Sequence, residues 1–467
     1  MLFVQEFVGK GLKIGSRFKP WVDECPLYYA SNNAPKKTDV LGSLFLSILS
    51  GHNRYVHLTA LRGDTVNTRL LDMSKVVSDS SAIRALQRMD ENAAMEWIEN
   101  HLYSCYAPLL KNSWILDVDV TIKPLYGRQE GAVIGYNPHK PGRPSHTFHT
   151  YMMANTRLIL SVSVQPGDET HSSHSMPGLM HLLGRLPEDC KPSFVRGDCD
   201  WGNDPVMSEL EDAGYSYLFK MKRTARVKEL ISKLHAEREW TRFNDDWEVK
   251  ESTLCLTGWK KKRRVAVIRR RLPKKEELAI EHKVGEQMEL EFLDGPEDMR
   301  LYEYSVLVTN LADEPISLVQ HYRDRADCEN NFDETKNQWG WSGFTTKKLK
   351  TSRIMAAMVA LVYNWWNLFV RLAIPEKHHE AITSRPLLLS SVGRLTETGR
   401  QRTITITSTH GEIDKIRRAY ARVASFFSTL KANAPQLTDA ERWNLIATKS
   451  MEIFMGQSPP RPLALSA

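Results

Sequence analysis

Trp114-Ile-Leu-Asp-Val-Asp-Val-Thr-Ile122 is the stretch on which the fold turns. Upstream, apolar residues recur at helical spacing. Within it, Trp114, Leu116, Val118, Val120 and Ile122 alternate with Ile115, Asp117, Asp119 and Thr121, the period of a strand with one buried and one partly polar face. Asp117 and Asp119, two apart, project from the same side. Aspartate is disfavoured in a strand centre, and a buried carboxylate is costly without a partner. A divalent metal ion is one partner that satisfies both acids. A strand end with solvated acids is the other reading, because acids are mostly exposed.

Downstream, the spacing predicts strands over 131–135, 146–151 and 157–164, then a helix over 176–186, a strand over 193–196, a helix over 205–213 and a strand over 215–221. A run of strands followed by alternation with helices indicates an α/β sheet. From 222 to 300, short strand-like runs at 253–257 and 264–269 stand between charge clusters and read as a β-rich insertion. A strand over 302–309 returns the chain to the sheet, and Pro315 with Ile316 and Ser317 opens a helix. Beyond 353 the pattern is helical except for one strand over 403–409. Residues 1–110 read as a helical N-terminal domain. It has helices over 39–51 and 78–89, the second with Ser80 and Ser81 as cap residues and Ile83, Leu86 and Met89 on one face. This domain is either a helix-turn-helix-like DNA-binding module or a plain bundle.

With 467 residues the chain has room for several domains and a large core. A formal charge of +7 favours polyanions without naming one. Six cysteines, at 25, 105, 190, 199, 255 and 328, show no zinc-like spacing and read as reduced intracellular thiols. Residues 1–20 lack a secretory apolar stretch, and 354–373, the nearest approach to a membrane span, is interrupted by Asn364, Asn367 and Arg371. That segment reads as a buried core helix containing Trp365 and Trp366. The expectation is a cytoplasmic, nucleoid-associated protein without a membrane partner.

Two further stretches carry chemistry. Phe194-Val-Arg-Gly-Asp-Cys-Asp-Trp-Gly202 places Asp198 directly after a strand, where ligands of open α/β sheets gather, with Asp200 and Asp204 as competitors. In Tyr322-Arg-Asp-Arg-Ala-Asp-Cys-Glu-Asn-Asn-Phe-Asp-Glu-Thr-Lys336, a single helix would carry Tyr322, Arg325, Glu329 and Lys336 within an arc of roughly 60°. A carboxylate beside cations on one face suits metal-dependent phosphoryl transfer on nucleic acid, and a solvated amphipathic helix is the bland alternative. Acids from separate strands and a helix can converge on Mg²⁺ or Mn²⁺, which take hard oxygen ligands.

Tyr322-x2-Arg325-x3-Glu329-x6-Lys336 resembles the YREK signature of bacterial insertion-sequence transposases of the DDE type, in the insertion-sequence-four-like superfamily. Asp119-Val-Thr121 resembles the family's first acidic segment, and Asp198 in Arg196-Gly-Asp198 its second. The stretch from Asp117 to Gly127, continuing through Gly135-Tyr-Asn-Pro-His-Lys-Pro-Gly-Arg-Pro-Ser145, resembles one subgroup. The resemblance spans about 113–343 and is weaker over the first hundred residues.

It implies a ribonuclease-H-like core over 111–221 and 301–373, interrupted by the β-rich insertion at 222–300 and followed by a mostly helical region at 374–467. It also implies Asp119, Asp198 and Glu329 as catalytic and metal-holding residues for Mg²⁺ or Mn²⁺. Tyr322, Arg325 and Lys336 would contact the DNA backbone. A homodimer would act on double-stranded DNA, at terminal inverted repeats and at a target. Relatives place a tryptophan for a flipped base in the strand before the signature helix. This chain has none there, so Tyr304 is the residue left to stack.

Basic residues concentrate at 260–264, 269–271 and around Lys347, Lys348 and Lys350, with Lys140 and Arg143 in the Pro/Gly-rich loop as further DNA-binding candidates. Such runs are commonly solvated faces; beside a nuclease-like core they would track phosphates. His139, His146 and His149 cluster near the first acid but read as packed or DNA-facing. Three other functions compete with DNA transposition. They are a metal-dependent nuclease of the same fold, a non-catalytic DNA-binding regulator derived from a transposase, and a general polyanion binder.

Overall fold

The computed structural model describes residues 17–138, 140–244, 246–272, 301–389, 393–399, 401–406, 411–433 and 436–455, together with Phe3, Phe7 and Met299. Five helices come first: α1 (Phe18–Asp23), α2 (Lys37–Leu49), α3 (Thr65–Leu70), α4 (Asp79–Arg88) and α5 (Glu91–Tyr106). The sheet then begins with β1 (Leu116–Pro124), β2 (Val133–Ile134), β3 (Pro144–Met153) and β4 (Leu158–Pro166). Next come α6 (Ser172–Gly184), β5 (Val195–Gly197), α7 (Asp204–Asp212) and β6 (Tyr217–Lys220). After them lie α8 (Ala225–His235), β7 (Thr241–Arg242), β8 (Trp247–Leu254), β9 (Arg263–Arg271) and β10 (Tyr302–Thr309). The chain continues through α9 (Pro315–Arg323), α10 (Ala326–Gln338), α11 (Leu349–Ala373) and α12 (Ala381–Leu388). It closes with β11 (Gly393–Thr398), β12 (Gln401–Ile406), α13 (Ile413–Asn433) and α14 (Asp439–Met455).

Ten strands form one mixed sheet. β1 pairs antiparallel with β3, and β3 with β4; on its other side β1 runs parallel to β5, and β5 to β6. β6 then pairs antiparallel with β10, which continues through β9 and β8 to β7, while the short β2 joins the start of β3. The parallel pairs fall where helices make the crossovers, as they must.

Some readings shift. The strand expected over 131–135 contracts to the two residues of β2. Of 253–257, only Thr253 and Leu254 lie in a strand, because the chain then turns back, with Trp259 N–H donating to the Leu256 carbonyl at 3.0 Å. Instead of one strand over 403–409 there is a hairpin, β11 against β12, turning at Gly399, whose φ of +62° suits glycine; residues 407–409 lie outside the described residues. α4 is capped by Ser78, not by Ser80 or Ser81: Ser78 Oγ accepts from the Ser81 N–H at 3.2 Å.

The first helices are built into the core. Asp39 through Leu49 of α2 are all buried, which leaves that helix no face for a DNA groove. Trp21 stacks on Trp97 with centroids 5.3 Å apart and meets Trp365 of α11 edge-on at 5.8 Å. α11 is long and apolar enough to cross a membrane, yet 94% of its most apolar window is buried inside the protein. Its polar residues have partners in the fold. Asn364 Oδ1 accepts from Ile159 N–H at 2.9 Å and its Nδ2 donates to Ile159 O at 2.7 Å, satisfying the backbone of β4. Asn367 and Arg371 donate to Thr156 O in the turn before β4, where Asn155 and Arg157 hold positive φ.

Candidate active site between β1 and the end of β5

The register of β1 against β5 builds the site. Asp117 lies opposite Arg196, and Asp119 and Asp198 each lie two residues beyond that matched pair, so Asp119, midway along β1, comes beside Asp198 where the shorter β5 ends. The turn after β5 is fixed by close packing. A Cβ on Gly197 would come within 2.8 Å of the ring of Trp201, which is 1% exposed. Only glycine lets that indole close over the strand end and hold the loop bearing Asp198.

The competing acids are engaged elsewhere. Asp117, 2% exposed, receives a two-pronged ion pair from Arg196, Nε to Oδ1 at 2.6 Å and Nη2 to Oδ2 at 2.7 Å. Asp200 accepts from Ser172 N–H at 2.5 Å and from Lys222 Nζ at 2.7 Å, tying the start of α6 to β6. Asp204 accepts from Arg263 Nη1 at 2.6 Å. Asp198, in contrast, accepts the Asp200 N–H at 2.9 Å and makes no ion pair among the described residues.

The signature residues do not form one helix. α9 ends at Arg323 and α10 starts at Ala326; between them Arg325 N–H donates to Tyr322 O at 3.1 Å and Cys328 N–H to Arg325 O at 2.9 Å, i to i−3 bonds that tighten the turn. Arg325, 5% exposed, caps α10 and turns inward. Its Nη2 donates to Asp119 Oδ2 and its Nη1 to Glu329 Oε1, the latter at 3.1 Å. In this DNA-free structure two carboxylates hold the guanidinium inside the site.

Burial pushes the Asp119 carboxyl up to about 6; Arg325 pulls it back, while Asp198 raises it, the Val120 N–H lowers it and Glu329 raises it. Asp198 and Glu329 therefore each lie within electrostatic reach of Asp119. The Tyr322 phenol is raised by burial and by the same acids, Asp198 and Glu329, although Arg325 opposes them. Lys336 lies in the last turn of α10, half-buried, and burial lowers its pKa.

Carboxylate oxygens are hard donors and suit a hard divalent cation. Among the described residues, however, no group of three or more His, Cys, Asp or Glu side chains is arranged to hold a metal ion. The donor chemistry fits, and Arg325 is the group that now holds Asp119 and Glu329.

Other expected contacts sort differently. His146 Nε2 hydrogen-bonds Glu130 O at 2.8 Å and His149 Nε2 hydrogen-bonds Glu169 O at 2.8 Å, so both are packing residues; His139 lies outside the described residues. Tyr304, 2% exposed and hydrogen-bonded to His235 at 2.6 Å, is too buried to receive a base. Within the basic run, Arg263 is consumed by Asp204 and Glu211, and Arg264 pairs with Glu251. Lys140 and Arg143 instead flank an exposed ring. Lys140 Nζ lies 5.1 Å and Arg143 Cζ 4.8 Å from the centroid of Tyr126, which is 68% exposed. Tyr126 also borders a cleft of about 610 Å³ with Arg54, Gln129 and Phe344. Sequence reasoning passes over Tyr126 and Arg196; the signals are an aromatic inside a turn-rich loop and the strand register.

A family model described as transposase DDE domain group 1 matches residues 30–427. No curated protein matches the chain. A cryo-EM structure of the piggyBac transposase synaptic complex with hairpin DNA is similar at 11% identity and a TM-score of 0.40, covering 100% of this chain and 86% of that one, a likeness too distant to decide anything here. The family match takes in most of the chain, Asp119, Asp198 and Glu329 included, and the protein belongs to the transposase DDE domain group 1 family.

Proposed function

We propose that the chain is a DNA transposase of the YREK-bearing, insertion-sequence-four-like kind, with a ribonuclease-H-like core, that cuts at transposon ends and joins the freed 3′-hydroxyl to target DNA. The observation that carries this reading is the sorting of the acids. Asp117, Asp200 and Asp204 are each bound by a separate cation, whereas Asp119 and Glu329 share Arg325 and Asp198, which makes no ion pair among the described residues, acts with Glu329 on the Asp119 carboxyl. The strand order β4-β3-β1-β5-β6, with three antiparallel strands followed by two parallel ones, supports the ribonuclease-H-like core.

Asp119, Asp198 and Glu329 would hold Mg²⁺ or Mn²⁺. The metal would supply activation of the attacking oxygen and charge neutralisation at the leaving oxygen. The chain's own residues position the reacting groups: β1 and β5 fix two acids by register, and α10 brings the third. Tyr322, near Asp198 and Glu329, and Lys336, further along α10, would bind the phosphodiester backbone, as would Lys140 and Arg143 beside Tyr126. Two copies would act on paired terminal repeats in the cytoplasm.

The test is a joining assay. Purified protein, Mg²⁺ and a labelled duplex carrying the element's own terminal repeat should yield products covalently linked to a second duplex. Hydrolysis without joining would favour the nuclease, and binding without either the regulator.

A further inference from the structure

Arg325 stands where the proposed chemistry needs a cation. One nitrogen serves Asp119 and another Glu329, the two acids contributed by different elements, and the Nε is buried without a hydrogen-bond partner. A guanidinium forks naturally between two carboxylates, but this one leaves part of its donor set unused. A divalent ion and the guanidinium compete for the same oxygens, since each neutralises the same negative charge. The exit is short. Glu329, the partner of Nη1, is 68% exposed, so the pair opens toward solvent on the Glu329 side although Arg325 itself, at the tightened junction between α9 and α10, is buried.

We propose that Arg325 is a displaceable counter-ion: it holds Asp119 and Glu329 in the DNA-free protein, and a nucleic-acid phosphate must draw it off before those acids take a divalent cation. This rests on the reading of Asp119 and Glu329 as metal-holding residues. Its consequence is coupling between two ligands. Phosphate accepts the guanidinium's paired donors as well as carboxylate does, so bound DNA vacates the acids, and by reciprocity the metal raises DNA affinity by the factor that DNA raises metal affinity. A metal centre assembled in this order stays inert until a DNA end is in place.

The experiment measures Mn²⁺ binding to the full chain by electron paramagnetic resonance without DNA, in wild type, Arg325→Gln and Arg325→Lys, each with and without Asp119→Asn. Arg325→Gln should bind Mn²⁺ about tenfold more tightly than wild type, Arg325→Lys should stay near wild type, and Asp119→Asn should abolish the gain. Binding by Arg325→Gln no tighter than wild type, with Asp119→Asn still weakening both, would overturn the counter-ion while leaving the metal-holding acids in place. Mn²⁺ binding indifferent to Asp119→Asn in every background would instead overturn the metal-site reading itself. A wild-type measurement guards against a variant that fails to fold. At constant ionic strength, Mn²⁺ should tighten the binding of a short duplex oligonucleotide, and an unchanged affinity would also overturn the proposal.

Discussion

Two aspartates separated by one residue on β1 do different work. Asp117 is sealed against Arg196, and removing one member of such a buried pair leaves the other charge uncompensated, at a cost of about 3–5 kcal/mol. Asp117→Ala should therefore lower the urea midpoint markedly, and more than Asp119→Ala does, since Arg325 keeps Glu329 as a partner when Asp119 is removed and Asp119 also feels the repulsion of Asp198 and Glu329. Equal losses from both changes would contradict this division. The alternation of β1 reveals both acids but not their roles; the difference lies in the pairing with Arg196, which only the register of a strand nearly eighty residues away supplies. His149 gives a second residue-level test. It is fully buried, and burial pushes its pKa down to about 4, with the Glu169 carbonyl opposing and His174 assisting. Because the folded value lies below the unfolded one, near 6.5, the unfolded chain binds the extra proton. Stability from this site is complete above pH 6.5 and falls as pH drops toward 4, by about 1.4 kcal/mol per unit. His149→Gln should flatten that part of the stability profile measured by urea unfolding; an unchanged slope would exclude His149 as its source.

Along α11, the apolar run and its interrupting polar residues are legible in sequence, but their purpose is not. Asn364 meets both backbone groups of Ile159, so it completes the hydrogen bonding of a sheet strand from within a helix. Asn364→Leu should cost about 1–3 kcal/mol, the penalty of leaving buried backbone groups unpaired, measured by denaturant unfolding. A neutral result would mean those groups find other partners. The signature segment shows the opposite limitation. Helical periodicity treats the offsets from Tyr322 to Lys336 as one stripe, but the attraction of two carboxylates for Arg325 breaks it into α9 and α10, a tertiary effect that local spacing does not encode. In the same way β11 goes unread although the Thr/Ile alternation of β12 is legible, because Gly-Arg-Leu-Thr-Glu-Thr lacks the apolar alternation that marks a half-buried strand.

Across the protein, the sheet ties fold to function. Its parallel centre sets Asp119 beside Asp198, α10 adds Glu329, and the strands beyond β6 extend the platform while absorbing basic residues such as Arg263 and Arg264 into ion pairs. The overall charge therefore overstates how many cations are free for DNA. On the proposed reading, cutting and metal-free DNA binding should separate, because Asp119, Asp198 and Glu329 are distinct from cations such as Lys140 and Arg143. The most direct measurement is Mg²⁺-dependent cleavage of a duplex bearing the terminal repeat, by wild type beside Asp119→Ala, Asp198→Ala and Glu329→Ala, with DNA binding measured in parallel. Cleavage by wild type alone, with binding kept in all three variants, is the predicted result. Cleavage surviving in any one of them would remove that acid from the mechanism and contradict the account of the site.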